Sequence, residues 1–351
     1  MQDAARIARK LAVLADMGLE RIDAAPVATQ ADRVERGVHK ITCSRPAMGT
    51  LVSVIALHAS RDRIEEAIGR AFIEMDRLIA LLSRFERSSA VSLLNQQGRL
   101  ADVPRELSHI IDGALDYHRA SRGAFDVTVQ PLVDLFKDSL AGDRSAGPST
   151  SEIADVLARV GSRHLTASRK SIRFERDSMG ITLDGIAKGY IVDGMAAILK
   201  GHRIRNYLIN AGGDIRTSGT KESKRPWSVA VQDPSKQGNY PDQIRMQDAA
   251  LATSGSYERS FDSRGTFHHI VDCDTGRSPN LSASVTVLAP TAMAADALAT
   301  AVFVMNPNDG VAFIEALPRC ECLIVESDGR QLRSGGWRSA AHPIRERAEA
   351  R

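Results

Sequence analysis

The stretch ITLDGIAKGYIVDG, residues 181–194, reads as a short apolar strand, a tight turn and the start of a helix. Asp184 is a favoured N-cap residue and Gly185 permits a tight turn. A helix that begins there directs free N–H groups and a partial positive charge at whatever lies in front of it. Lys188 would lie in the first turn, where a cation is unfavourable unless an anion is close. The pattern allows a phosphate site, and it equally allows a surface helix on which Lys188 pairs with Asp184.

Outward from this stretch, strand and helix patterns are interleaved without the regular alternation of a parallel sheet. Helical spacing of apolar residues predicts a long amphipathic helix that ends near Ser83 and a second helix over residues 105–121. An Ala-rich helix is predicted in TAMAADALATAVFVM. Strands are predicted in MGTLVSVIAL, GAFDVTVQPLV, ITLDG, NYLINAGGD, WSVAVQDP, HHIVD and SVTVLAP. The fold class is therefore predicted to be α+β.

Three regions are expected along the 351 residues, a length that suffices for one large domain or two ordinary ones. Residues 1–37 would form an accessory arm, part helix and part loop. Residues 38–335 would form the main domain, and residues 336–351 a polar, frayed tail. Within the main domain, the polar and Pro/Gly-rich run at residues 138–151 is expected to be a loop.

The charge balance argues against nucleic acid as a partner. There are 46 basic and 43 acidic residues, a net charge of +3, whereas nucleic-acid binders concentrate basic charge. Aromatic residues make up 5% of the chain, too few to favour a base-stacking platform. No nucleic-acid partner is therefore expected.

Cysteine usage and the sequence start bear on the compartment. The four cysteines, Cys43, Cys273, Cys320 and Cys322, show no zinc or redox spacing, so free thiols are expected. No run reaches the length of a membrane span, and the first residues lack the apolar stretch of a signal peptide. A cytoplasmic location is the expectation.

The segment AADALAT places Asp296 and Thr300 four residues apart, on one face of the predicted helix. A carboxylate and a hydroxyl are hard oxygen ligands, which suit Mg²⁺ rather than zinc. The alternative is that Asp296 caps a neighbouring element while Thr300 bonds back to a backbone carbonyl.

Two further segments could take part in chemistry. In FHHIVDCDTG, one histidine could serve as a general base, and the alternative is a surface pair or a buried, hydrogen-bonded histidine. In NAGGD, residues 210–214, two glycines after a strand allow another backbone or a ligand to approach closely. No G-x-G-x-x-G, Walker lysine loop or G-x-S-x-G elbow is present.

Eight blocks of the sequence, taken in order, resemble those of the ApbE family over about residues 46–305. They are PAMGTLVSV, LLSRFERSSAVSLLN, GAFDVTVQPLV, LDGIAKGYIVDG, LINAGGDIRTSG, ATSGSYERSF, HHIVDCDTGRSP and SVTVLAPTAMAADALATAVFVM. The resemblance implies a two-lobed fold with mostly antiparallel sheets and a flavin-nucleotide cleft between the lobes. It also implies Mg²⁺-dependent transfer of FMN from the substrate FAD to a threonine of an acceptor flavoprotein, with release of AMP.

The resemblance also implies roles for individual residues. His269 matches the histidine that takes part in catalysis. Gly185, through its carbonyl, and the side chains of Asp296 and Thr300 match the metal ligands; Ala299 stands where some members have one more acidic ligand. The positions that match contacts with FAD are Met48, Phe85, Ala124, Phe125, Asp126, Thr182, Lys188 and Val271.

The sequence departs from the family pattern at a few positions. Thr182 stands where many members have Asp, Asp184 where they have Gly, and Cys273 where a proline is usual, which would loosen the following turn. Most members act outside the cytoplasm, so a periplasmic or membrane-associated location is the alternative to the cytoplasm. A homodimer is compatible with the pattern.

Two other activities are compatible with the same residues. Water in place of the threonine hydroxyl would make the chain a Mg²⁺-dependent FAD pyrophosphatase that yields FMN and AMP. A flavin-binding protein without turnover would use the same contacts with FAD and would release no AMP.

Overall fold

The computed structural model describes residues 28–35, 37–141, 147–232, 234, 240–257, 260–262 and 267–340. Eight α-helices lie in this part of the chain: α1 Arg61–Leu82, α2 Ala90–Gln97, α3 Arg105–Ala120, α4 Gln130–Ala141, α5 Thr150–Leu157, α6 Ala187–Gly201, α7 Ala292–Val304 and α8 Pro307–Glu315. The strands are β1 Ala28–Glu35, β2 Val38–Ala47, β3 Thr50–His58, β4 Arg99–Ala101, β5 Leu165–Ala167, β6 Ser171–Phe174, β7 Asn206–Ala211, β8 Asp214–Ser218, β9 Trp227–Ala230, β10 Gln243–Met246, β11 Ala250–Gly255, β12 Ser282–Ala289, β13 Glu321–Glu326 and β14 Gln331–Arg333.

A nine-stranded sheet forms the centre of the fold, in the order β1-β2-β3-β7-β8-β11-β12-β13-β14. Neighbouring strands in it are antiparallel throughout. Two small antiparallel sheets, β9–β10 and β4–β6–β5, accompany it. The predicted α+β class is therefore confirmed.

Helices α1, α6 and α7 cover one face of this sheet. In α1, the buried Ile64, Ile68, Met75 and Leu78 recur at helical spacing and join the main core. The β9–β10 hairpin covers part of the other face, where Trp227 and Trp337 enter a second apolar cluster. Because both faces are covered, functional groups are exposed at the ends of the strands.

Several sequence predictions hold: the long helix, the Ala-rich helix and the strand in SVTVLAP appear as α1, α7 and β12. Three predicted strands are wrong. GAFDVTVQPLV forms a 3₁₀ turn, Val127–Val129, that leads into α4. The ITLDG run is held by Asn95, whose amide exchanges hydrogen bonds of 2.9 and 2.8 Å with the backbone of Ile181, rather than by a neighbouring strand. HHIVD forms a single bridge, His268 with Ser260.

The arm and the tail are partly described. Residues 28–35 form β1, which pairs with β2 and extends the sheet, so this part of the arm is neither helix nor loop. At the other end, Trp337 is 6% exposed and its Nε1 donates to Asp242 at 2.9 Å, so the tail does not fray at residue 336. Residues 1–27 and 341–351, and part of the predicted loop at 138–151, lie outside the described residues.

None of the helices in the described ranges combines the length and the apolar character that crossing a bilayer requires.

Candidate active site

Two hairpin turns lie side by side at one end of the large sheet. The turn between β2 and β3 consists of Met48 and Gly49, with φ of 53° and 72°. The turn between β7 and β8 consists of Gly212 and Gly213, with φ of 66° and 108°, a conformation that glycine adopts readily. A side chain at Gly212 would collide with Thr50, so the two turns are in direct contact. Met48 is thereby brought to the same sheet end as the NAGGD segment.

Helices α6 and α7 cross above this end and cap each other. Gly189, in the first turn of α6, lies against the backbone of Ala292, where no Cβ would fit. Asp193 of α6 accepts hydrogen bonds from the N–H groups of Ala292 and Met293 at 3.0 and 2.9 Å. In return, Asp296 of α7 accepts one from the N–H of Gly189 at 3.0 Å. This reciprocal capping fixes Asp296 in front of the start of α6.

Asp193 and Asp296 thus each accept from the start of the other helix; Asp193 is half-buried and Asp296 is buried. Burial raises the pKa of the Asp193 carboxyl, and the two N–H groups and Arg216 oppose that rise. Asp296 is 4% exposed. The predicted alternative, in which Asp296 caps a neighbouring element, is therefore realised.

The three expected metal ligands come together. A Cβ placed on Gly185 would lie 2.8 Å from Oγ1 of Thr300, so the turn before α6 touches the Asp296–Thr300 face of α7. Oγ of Ser254, at the end of β11, lies 3.2 Å from Oγ1 of Thr300. No group of three His, Cys, Asp or Glu side chains is gathered in the described residues. The donor set is instead one carboxylate with neutral oxygens, which fits Mg²⁺ with its remaining places left for water and substrate.

Lys188 does not pair with Asp184. Its Nζ lies 3.1 Å from Oδ2 of Asp214, the first residue of β8, which is 1% exposed. Burial raises the pKa of the Asp214 carboxyl, and the Lys188 ammonium opposes that rise. The cation in the first turn of α6 is therefore held beside a buried anion that the glycine turn supplies.

Asp184 does not cap α6, which begins at Ala187 without a side-chain cap. Its carboxylate pairs instead with Arg84, 3.0 Å from the guanidinium. That guanidinium lies over the ring of Phe85, with Cζ 4.1 Å from the ring centroid. Phe85, a residue that is 43% exposed, is thereby tied to the segment that contains Gly185.

The expected contact run at residues 124–126 lies beside residue 182, because the N–H of Thr182 donates to the carbonyl of Val127 at 2.8 Å. Ala124 is half-buried and Phe125 is 3% exposed. The Asp126 carboxylate accepts four hydrogen bonds, from N and Oγ1 of Thr128 and from N and Oγ of Ser162, at 2.7–2.9 Å. A contact of residue 126 with a ligand would therefore use its backbone.

The adjacent histidines differ in environment. His268 is fully buried, its Nε2 donates to the carbonyl of Pro279 at 2.8 Å, and its ring meets Phe303 edge-on at 5.5 Å. Burial lowers the pKa of His268. Phe303 continues the Asp296–Thr300 face of α7, so the His268 ring packs along that face of the helix. His269 is half-buried, which leaves it as the histidine that a ligand can reach.

Beyond the histidines, Val271 is 5% exposed and packs with Val129 and Val156 in the apolar cluster of α4 and α5. The Cys273 thiol donates to the carbonyl of Gly123 at 3.1 Å, and burial raises its pKa to about 12. The turn after Cys273 is closed by a hydrogen bond of 2.8 Å from the N–H of Gly276 to the carbonyl of Asp272. All four cysteines are free.

Of the predicted site residues, Gly185, Asp296 and Thr300 meet between the start of α6 and the adjacent face of α7, while Phe125, Val271 and the Asp126 side chain are buried. Sequence reasoning missed Arg84, Asp193, Asp214 and Ser254. Of these, Asp214 and Ser254 stand in the blocks NAGGD and ATSG, where the small residues marked a close approach without naming the partner. A cleft of about 570 Å³ between α2, α4 and α5 lies to one side and is lined in part by Arg84.

An antiparallel α+β domain that gathers side-chain oxygens, a lysine and a helix start at one sheet end fits the class of enzymes that act on a phosphorylated ligand. Comparison with known proteins places the chain in a family. The chain belongs to the ApbE family, whose model matches residues 48–324.

The relatives carry a more specific name. The chain is 31% identical over 303 residues to the FAD:protein FMN transferase of Vibrio cholerae, covering 84% of this chain and 90% of the relative. It is 30% identical to the FAD:protein FMN transferase of Treponema pallidum, with 82% and 85% covered. Its fold is similar to the crystal structure of the ApbE protein from Thermotoga maritima, with a TM-score of 0.76 and 31% identity over 84% of this chain and 97% of that one.

Proposed function

We propose that this chain is a FAD:protein FMN transferase, which moves FMN from FAD to a threonine hydroxyl of an acceptor flavoprotein and releases AMP. The observation that carries the proposal is the meeting of the α6 start with the Asp296–Thr300 face of α7. Gly185 touches Thr300 there, and Asp296 binds the N–H of Gly189 at 3.0 Å. The names of the relatives supply the substrate and the kind of acceptor.

The residues that would hold Mg²⁺ are Asp296, Thr300 and Gly185 through its carbonyl, with Ser254 beside Thr300. When bound, Mg²⁺ supplies neutralisation of the charge on the FAD diphosphate. With one carboxylate and neutral oxygens as its ligands, Mg²⁺ would keep a net positive charge. That charge favours binding of the diphosphate anion.

The remaining groups position and move protons. The partial positive charge at the start of α6 and the ammonium of Lys188 favour the negative charge of the diphosphate. His269 accepts the proton of the threonine hydroxyl as its oxygen bonds to the FMN phosphorus; the bond from that phosphorus to the AMP oxygen breaks, and AMP leaves. A positioned base of this kind contributes roughly 10²–10⁴-fold.

Release of AMP tests the proposal. The chain is incubated with FAD and Mg²⁺, with and without a flavoprotein encoded by a neighbouring gene, and AMP and protein-bound flavin fluorescence are measured. Acceptor-dependent AMP release with a fluorescent acceptor band is the expected result. AMP release without acceptor would make the chain a FAD pyrophosphatase, and retained FAD without AMP would make it a binding protein; either outcome would overturn the transferase proposal.

The threonine of the acceptor, the requirement for Mg²⁺, a homodimer and a cytoplasmic location stay predictions.

A further inference from the structure

The NAGGD segment contains a buried carboxylate that the roles described so far do not use. Asp214 follows the Gly212–Gly213 turn directly and is the first residue of β8. It is 1% exposed, and its Oδ2 lies 3.1 Å from Nζ of Lys188, whose side chain is 25% exposed. One end of this ion pair is therefore inside the protein, and the other reaches the surface of the candidate site.

The place of Asp214 is set by the sheet. Ala211 and Asp214 are register partners across the turn, and the N–H of Gly213 donates to the Asn210 side chain at 3.0 Å. Thr50 packs against Gly212 from the neighbouring hairpin. Since the turn is held from both sides, the carboxylate is a fixed point toward which the flexible side chain of Lys188 is drawn.

A fixed anion matters because a lysine side chain is mobile. Its four-carbon stem has several rotatable bonds, and part of this conformational freedom is lost when the ammonium is immobilised on a ligand. An ammonium that Asp214 already holds near the α6 start loses less freedom when an anion binds in front of it.

We propose that Asp214 is a positioning residue, which holds Lys188 in place for the diphosphate of FAD; this role rests on the proposed function. Asp214 does not touch FAD itself, because its carboxylate is buried behind the lysine. Its effect on FAD is transmitted through Lys188 alone.

A double-mutant cycle on FAD affinity tests this role. FAD is titrated in EDTA, with flavin fluorescence as the readout, into the unaltered chain, Asp214→Asn, Lys188→Met and the double variant. Asp214→Asn is expected to weaken FAD binding by up to about tenfold, the cost of immobilising one long side chain. In the Lys188→Met background the same change is expected to have no effect.

Stability is measured separately, because Lys188→Met leaves a buried carboxylate without this cation. Urea midpoints show which variants are folded. The double variant removes both charges, so it has no unpaired buried carboxylate and can be compared with the folded single variants. Asp242→Asn is the matched control: Asp242 accepts from Trp337 at 2.9 Å on the far side of the sheet, and its variant should bind FAD normally.

Equal weakening by Asp214→Asn in both backgrounds, or unchanged affinity in the folded single variant, would overturn the positioning role and leave the transferase proposal intact. FAD binding by the unaltered chain without AMP release under Mg²⁺ would overturn the transferase proposal alone. No FAD binding by the unaltered chain would overturn both.

Discussion

Two buried carboxylates, Asp126 and Asp214, are held in opposite ways. Asp126 accepts four hydrogen bonds from the neutral N–H and O–H groups of Thr128 and Ser162. Asp214 faces the ammonium of Lys188, a long side chain that reaches the candidate site. The first arrangement joins a turn to a distant segment, and Nδ1 of His118 lies 3.3 Å from the same carboxylate. The second holds a mobile cation where an anion can approach, so similar burial serves structure in one place and binding in the other.

Like Asp214, Asp296 is expected to serve ligand binding, and its substitution should have the largest effect on activity. We expect Asp296→Asn to lower AMP release from FAD by about 10³-fold, because the change removes the one carboxylate of the proposed Mg²⁺ set while keeping the shape of the side chain. AMP is measured by chromatography under saturating Mg²⁺. An amide oxygen can still accept from the N–H of Gly189, so the urea midpoint should move little. Activity at the unaltered rate would remove Asp296 from the metal set.

Asp126 is expected to serve the stability of the fold and not ligand binding. We expect Asp126→Ala to lower the free energy of unfolding by about 3 kcal/mol, because the buried donors of Thr128 and Ser162 lose their acceptor. Urea unfolding followed by circular dichroism measures this loss. Unchanged stability together with lost FAD binding would show instead that the carboxylate contacts the ligand, and the contrast with Asp214 would disappear.

The adjacent residues His268 and His269 are expected to show the same difference between a structural and a functional role. We expect His269→Ala to slow FMN transfer by about 10²-fold with little change in FAD affinity, since it removes the proposed base and no diphosphate contact. Single-turnover transfer and FAD titration are compared. An unaltered transfer rate would exclude His269 from the mechanism.

His268 gives the smallest expected effect, a pH dependence of stability. Burial lowers the pKa of His268 in the folded chain, so below about pH 6.5, the ordinary value, the unfolded chain binds more protons there. The stabilising contribution is therefore present above that pH and is lost as the pH falls toward the folded pKa. Urea midpoints between pH 5 and 8 should show this slope, and His268→Gln should flatten it. Parallel profiles would mean that His268 is not buried as a neutral ring.

The sequence predicted the α+β class and the longest elements, because α1, α7 and β12 have apolar periodicity over many residues. It failed where side chains replace a strand partner. Residues 123–133 are apolar enough for a strand, but Asp126 bonds to the N–H of Thr128 and closes a turn that leads into α4. Residue 181 is bonded by the Asn95 side chain, which no local pattern indicates.

The segments that form the site could be predicted from the sequence, but the ion-pair partners of its charged residues could not. The spacing of Asp296 and Thr300 indicated a shared helix face, and the small residues of NAGGD indicated a close approach. The partners of Lys188 and Asp184 were not predictable, because local reasoning pairs residues four apart on a helix. The helix begins instead at Ala187, past Asp184. Asp184 therefore pairs with Arg84 and Lys188 with Asp214, and both partners are distant in sequence.

The convergence of the α6 start with Thr300 is tested most directly by the Mg²⁺ dependence of AMP release in Thr300→Val. This change removes one proposed oxygen ligand and keeps the shape beside Gly185 and Ser254. The account predicts that the Mg²⁺ concentration for half-maximal AMP release rises by about tenfold or more, with the rate partly restored at high Mg²⁺. Superimposable Mg²⁺ curves for Thr300→Val and the unaltered chain would contradict it.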